Sequence, residues 1–174
     1  MVMMIVMALV FVACIAAMAD AVKMFRGGAA HVWQEYFDDG GHTFKMALMD
    51  TGYTYDADSH LDMADVNSDE LNNAAGGTGY VSGFSGSGRQ TLSGVTATQT
   101  AGGVKLDFDD AVFAALQSDL DDVKGAIIYE HLTDDASSKI LFWIDFDSDY
   151  SPNGNDLTVS PNGANGIATL TVPG

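Results

Sequence analysis

Basic residues are few in this chain. Its 174 residues carry 7 Lys and Arg against 24 Asp and Glu, a formal net charge of −17. A surface of that sign repels phosphate backbones and anionic headgroups, which excludes direct nucleic-acid binding. One cysteine, Cys14, is present, so no disulfide can form within the chain. Burial and backbone pairing must hold the fold, and no Cys/His cluster of zinc type exists. Proline is scarce. Nucleophile elbow, phosphate loop and dinucleotide fingerprint are all missing. The glycine-rich run Gly83-Phe84-Ser85-Gly86-Ser87-Gly88 has no Lys after it and opens no helix, so it reads as a turn. His31, His42, His60 and His131 have no Ser or Cys at a suggestive spacing and read as ordinary surface or half-buried side chains. The expectation is a protein that is not an enzyme.

The remaining composition favours strands. Gly is abundant, and Thr, Ser, Val, Gly and Asp dominate the second half, a mix suited to short strands and tight turns. The length suits one domain with a real core. Residues 1–19 stand apart as an apolar leader, with Val2 to Met18 free of charge. Three readings stay open. The favoured one is an over-called start, with Met18 the true first residue. The next is a secretory signal, where Ala17-Met18-Ala19 fits a small-x-small cleavage site but the positive n-region is missing. The third is a membrane anchor, for which the run is short. A retained leader would have to pack as a helix or arm against a neighbour, because left exposed it would be an aggregation hazard.

Residues 20–42 read as an N-terminal helical region. Val22, Phe25, Ala29, Val32 and Tyr36 fall at spacings of three and four, and Asp38-Asp39-Gly40-Gly41 stops the helix. Residues 43–174 read as a β domain. Thr43 to Met49 is a strand with Phe44, Met46 and Leu48 on one face. Tyr53 to Glu70 is a long polar surface loop, and Tyr80 to Ser85 a short strand. Arg89 to Gln99 reads as one partly exposed strand, and Val104 to Phe108 as a strand with alternate residues inward. Asp109 to Asp122 fits one or two helical turns. Gly125 to Leu132 and Lys139 to Phe146 are nearly continuous apolar runs, hence central strands joined by the loop at Asp134 to Ser138. Leu157 to Ser160 and Gly166 to Val172 form a final pair. The fold expected is mainly β, an antiparallel β-sandwich of about seven or eight strands with an N-terminal helix.

Two acidic clusters raise the question of a cation. Asp145, Asp147, Asp149, Ser151, Asn153 and Asp156 follow the one, three, five, seven, nine, twelve spacing of a calcium loop. Tyr150 stands where that loop needs Gly, and Asp156 replaces its bidentate Glu, so a solvated strand end and turn is favoured. Asp145, Asp147, Asp149 and Asp156 are the candidate metal ligands, with calcium the only cofactor considered. Asp56, Asp58, His60, Asp62 and Asp65 form the second cluster, where a hydrated loop is again the better reading. Carboxylate spacing leaves glycoside hydrolysis open, but no aromatic sugar platform lies near either cluster. Trp33 and Trp143 fall in the helix and a core strand, where packing is their default role.

From about Lys45 to Thr171 a set of short stretches occurs in a recognisable order. They are Phe44-Lys45-Met46-Ala47-Leu48-Met49, Tyr53-Thr54-Tyr55-Asp56-Ala57-Asp58-Ser59-His60, Gly77-Thr78-Gly79-Tyr80-Val81-Ser82-Gly83, Leu106-Asp107-Phe108-Asp109-Asp110, Gly125-Ala126-Ile127-Ile128-Tyr129 and Ile144-Asp145-Phe146. In this the chain resembles a family of small virion structural proteins of tailed phages. It departs from the pattern at Val112-Phe113, where the family commonly carries Trp, and in the apolar leader. The resemblance implies a virion part without enzymatic activity, made in the host cytoplasm. The expected role is capsid decoration, a cement protein binding the major capsid protein between capsomers. A homo-oligomer, a trimer by expectation, would follow. A tail or head-to-tail connector component is the second reading. The third is an exported β-sandwich that binds sugar or calcium at a cell surface. Tyr53, Tyr55, Asp56, His60, Tyr80 and Phe84 are the candidate partner contacts.

Overall fold

The computed structural model describes residues 26–37, 40–72, 79–101, 103–117, 120–161 and 168–171. The apolar leader, the start of the expected helix at 20–25, most of the Asn/Gly-rich stretch and the 162–167 connection lie outside the described residues. The fold is mainly β, in antiparallel sheets with little helix. The elements are α1 (Arg26–Phe37), β1 (Phe44–Asp50), β2 (Gln90–Thr91), β3 (Thr96–Thr100), β4 (Gly103–Asp107), β5 (Ala111–Phe113), β6 (Val123–Glu130), β7 (Ile140–Tyr150), β8 (Leu157–Val159) and β9 (Ala168–Thr171). They form three sheets: β2-β1-β6-β7, β3-β4-β9 and β5-β8.

The centre is the β1–β6 pair, with Phe44 opposite Glu130 and Met46 opposite Ile128. Alternate residues of β1 point to opposite faces, and here both faces are apolar. Phe44, Met46 and Leu48 join Ala126, Ile128, Phe113, Leu116 and Val159 in the largest cluster. Ala47 and Met49 join Ile127, Tyr129, Tyr53, Met63 and Val66 behind. A third cluster places Ala97, Val104 and Leu106 of β3 and β4 under Trp33 and Phe37 of α1. Phe37 and Phe142 belong to both the first and third clusters, so α1 spans the two larger sheets. That packing has to hold the helix. Gly27 and Gly28 weaken it, and neither end carries a charge that complements its dipole.

Several expectations need correction. The segment Tyr53 to Glu70 is largely exposed, as expected of a surface loop, but it is not structureless. It carries two short 3₁₀ turns, Met63–Asp65 and Asn67–Asp69, the first closed by a capping box between Asp62 and Asp65. Its Tyr53, Met63 and Val66 are buried, because the back of β1 and β6 is as apolar as the front and needs a cover, and Leu71 joins the front cluster. Residues 80–85 form turns rather than a strand, with Gly83 at φ +86°. The run Arg89 to Gln99 breaks into β2 and β3, which enter different sheets. The break is at Gly94, φ +61°, where a Cβ would run into the Asp109 carboxylate. Ala111 to Phe113 is β5, not helix: Ala111 and Phe113 are buried and Val112 is exposed, and Ala115 at φ +48° is incompatible with helix. β6 is central as expected, but β7 lies at the edge of its sheet and its apolar residues are only half-buried. β8 pairs with β5 and β9 with β4, so the last two strands are not a hairpin.

Gly125 shows how tightly β6 and β7 are matched. The Trp143 ring lies over it and the Ile144 carbonyl approaches it, so a Cβ would clash with both. Trp143 in turn packs on Tyr53, ring centroids 4.6 Å apart. Gly125→Ala is therefore expected to destabilise the fold by about 1–3 kcal/mol through overpacking. A fall in the urea midpoint at unchanged slope is the readout.

Candidate functional site

The densest polar assembly in the described chain is internal. Arg89, 5 % exposed, and Glu70, 1 % exposed, meet in a two-pronged pair. Arg89 Nε donates to Glu70 Oε1 at 2.9 Å and Nη2 to Glu70 Oε2 at 2.7 Å. The remaining guanidinium N–H groups donate to Asp135, through Nη1 to Oδ1 and Nη2 to Oδ2, and to the Tyr129 hydroxyl at 3.5 Å. The Arg89 guanidinium carbon also lies 5.4 Å from the centre of the Tyr129 ring. Glu70 accepts further from Tyr80 OH at 2.8 Å and Gly83 N–H at 3.0 Å. Tyr80 OH itself accepts from Leu48 N–H at 3.1 Å. Burial opposes the Arg89 charge, yet the bonds to Glu70 and Asp135 outweigh it and hold the guanidinium protonated beyond its ordinary range. Burial and then the Glu70 charge push the Tyr80 phenol far up. Burial also lifts Tyr129, to about 12, against the opposing pull of Arg89.

Local sequence explains how these groups converge. Glu70 closes the covering segment, where its backbone pairs with Met49 and Leu71 N–H donates to Leu48 O at 2.9 Å. Arg89 follows Gly88, whose missing side chain leaves room for the Tyr80 ring. Asp135 sits in the β6–β7 hairpin loop, which Asp134 shapes through Ser137 N–H at 2.8 Å and Ser138 at the carbonyl. The hairpin loop meets the covering segment again at Ala64 N–H to Asp135 O, 3.3 Å, and Met63 N–H to Ser138 O, 3.0 Å. The constellation thus binds three distant segments to one another. Each guanidinium N–H of Arg89 is already matched inside the protein, which is the arrangement of a structural tie.

A second polar group lies at the same end of β6, on the opposite face of the strand. Glu130 accepts from Tyr36 OH at 2.7 Å and contacts His42 Nδ1 at 2.5 Å. Burial pushes the Glu130 carboxyl up, but the bonds from His42 and Tyr36 prevail and hold it below its ordinary value. His131 stacks on Phe84 at 4.6 Å. Its buried Nδ1 has no partner among the described residues, and burial, aided by Lys45 and Arg89, lowers its pKa.

The residues expected as partner contacts divide. Tyr53 and Tyr80 are each 1 % exposed, so they serve the core and are withdrawn as contacts. Tyr53 is drawn in by Trp143 and by His60, whose Nδ1 lies 3.3 Å from its hydroxyl, and Tyr80 by the buried carboxylate. Tyr55 is 59 % exposed and Asp56 is exposed, capping its own turn through Asp58 N–H at 2.9 Å. Phe84 and His60 are half-buried. Tyr55, Asp56 and the exposed Leu61 and Val81 remain on the surface.

The calcium spacing is not realised as a loop. Asp145, Asp147 and Asp149 lie exposed along β7, alternating with Phe146 and Ser148, and strand geometry sets same-face neighbours about 6.5 Å apart. Asp156 is engaged elsewhere, accepting from Ala115 N–H at 2.7 Å. Among the described residues no group of three or more His, Cys, Asp or Glu is placed to hold a metal ion. No helix among them is long and apolar enough to cross a membrane.

Sequence reasoning passed over Arg89, Glu70 and Asp135, assigning them to a strand start, a loop end and a hairpin. One signal was there to use. Between Lys45 and Lys105, Arg89 is the only cation in a stretch that holds seven carboxylates up to Glu70. No family model matches the chain, and no curated protein or solved structure is significantly similar to it.

Two outcomes follow. Arg89→Met leaves Glu70 buried without its cation and is expected to cost about 3–5 kcal/mol. Tyr80→Phe removes one donor and one acceptor and should cost about 1–3 kcal/mol. Denaturant unfolding measures both. Calorimetry against millimolar calcium is expected to show no binding heat, and a saturable heat lost in Asp147→Asn would reinstate the β7 cluster.

Proposed function

We propose that this chain is a structural protein of a virus particle, built as a β-sandwich and acting through the surface it presents. Within that class we assign it to the decoration of a tailed-phage capsid, where it would bind the major capsid protein between capsomers as a homo-oligomer. The observation that carries the reading is the placement of charge. The ionisable groups that converge, Glu70, Arg89 and Asp135, are spent inside the protein on one another. The carboxylates left over, such as Asp56, Asp58, Asp109, Asp110, Asp145, Asp147 and Asp149, are spread over the exterior. A rigid acidic exterior of this kind suits docking on a partner at high local density without random association.

Three features support the finer points. The ordered short stretches from Lys45 to Thr171 resemble small tailed-phage virion proteins. The front of the β2-β1-β6-β7 sheet packs on β5 and β8 through Phe113 and Val159, a contact between sheets that supports the sandwich reading. The covering segment is tied down at Lys139–Asp62, at Lys124 Nζ to Tyr53 O, 2.8 Å, and at Glu70–Arg89. It therefore presents Tyr55, Asp56 and Leu61 from a fixed base, which lowers the ordering cost of docking.

Quantitative mass spectrometry of purified particles tests the assignment. Capsid decoration predicts a copy number comparable with that of capsomer junctions, together with a fall in the heat tolerance of particles lacking the protein. A copy number near that of a tail or connector ring would move the chain to those structures. A mature amino terminus at Asp20 after an export step, with no particle association, would replace both by a surface-binding protein.

A further inference from the structure

We propose that Tyr36, Glu130 and His42 form an acid-released latch that holds α1 across the two larger sheets. The latch is independent of the function proposed above. α1 packs on β3 and β4 through Trp33 and Phe37. Among its described side chains, the last turn reaches β1 and β6, where the Tyr36 and Phe37 rings meet Phe44 at 5.7 and 5.1 Å. Tyr36 also lies 4.5 Å from His42, ring centre to ring centre. Glu130 is the single acceptor that joins these pieces, with one carboxylate oxygen on Tyr36 and the other on His42.

A helix of 12 residues with Gly27 and Gly28 near its start is marginal by itself, so α1 depends on what fastens it. The fastening needs the carboxylate. Ionised, Glu130 accepts from both partners, and both bonds are charge-assisted. Protonated, it has lost the charge that His42 and Tyr36 answer. Among the described residues the groups that face it are few. Tyr36 comes from α1, His42 from the turn before β1, and Phe44 lies opposite on β1. Lys139, leading into β7, is bound to Asp62. Because Glu130 is held below its ordinary value in the folded chain, its contribution is complete at neutral pH. It is lost as pH falls through that depressed value.

Hydrogen–deuterium exchange, corrected for intrinsic rates, reads the latch directly by comparing α1 amides with those of β6 between about pH 7 and about pH 3.5. The expected result is a loss of α1 protection roughly tenfold greater than that of β6, as befits a charge-assisted bond. Glu130→Gln should lower α1 protection already at neutral pH and remove the acid step. Tyr36→Phe keeps both rings and the carboxylate, and should shift the α1 step to higher pH. It decides the question if Glu130→Gln fails to fold. Loss of α1 and β6 protection together, an unchanged acid step in Glu130→Gln, or a Tyr36→Phe profile identical to that of the unmodified chain would each overturn the proposal.

Discussion

A guanidinium withdrawn from water is tolerated only where each of its N–H groups finds an acceptor and its charge finds a counter-charge. Arg89 meets that condition with Glu70 on one side, Asp135 on the other and Tyr129 beneath. The constraint runs in both directions. Glu70 can be buried because Arg89, Tyr80 and Gly83 saturate it, and Tyr80 can be buried because it bridges Glu70 and Leu48. Three segments far apart in the chain thereby acquire one mutual geometry. Apolar contact alone would let the covering segment slide on the back of the sheet. Directional bonds to a buried charge fix its register.

The rest of the architecture follows from a sheet whose centre is apolar on both sides. β1 and β6 cannot leave either face in water. The front is closed by β5, β8 and the aromatic end of α1, and the back by residues 51–71. The folded surface is consequently carboxylate-rich, with few cations free to offset it. Arg89 is internal, while Lys105, Lys124 and Lys139 are engaged by Asp107, the Tyr53 carbonyl and Asp62. The exterior thus combines a field of one sign with a few exposed apolar side chains, Tyr55 and Leu61 among them, and this is the surface that the docking role proposed above would use.

Much of this was legible in the amino-acid order. The helix ending at Phe37, the strand from Phe44, the alternation of Val104, Leu106 and Phe108, and the β6–β7 hairpin around Asp134 to Ser138 all came from periodicity and turn residues. Local pattern failed where tertiary contact overruled it. An Asp cap followed by Ala111, Phe113, Ala114, Ala115 and Leu116 suits one or two helical turns, but pairing with β8 makes Ala111 to Phe113 a strand. The run from Arg89 to Gln99 has strand composition throughout, yet Gly94 divides it between two sheets. Tyr53 to Glu70 is polar on average, and an average conceals that Tyr53, Met63 and Val66 face one way.

The sequence by itself determined the class of fold, the sign of the surface and the place of the β6–β7 hairpin. These depend on composition and on residues close in the chain. Tertiary structure alone decided which carboxylates are buried, because a charge can leave water only when a partner from elsewhere in the chain stands within hydrogen-bonding reach. Nothing in the neighbourhood of Glu70 or Asp135 announces Arg89, and only the folded packing of the three segments brings them together.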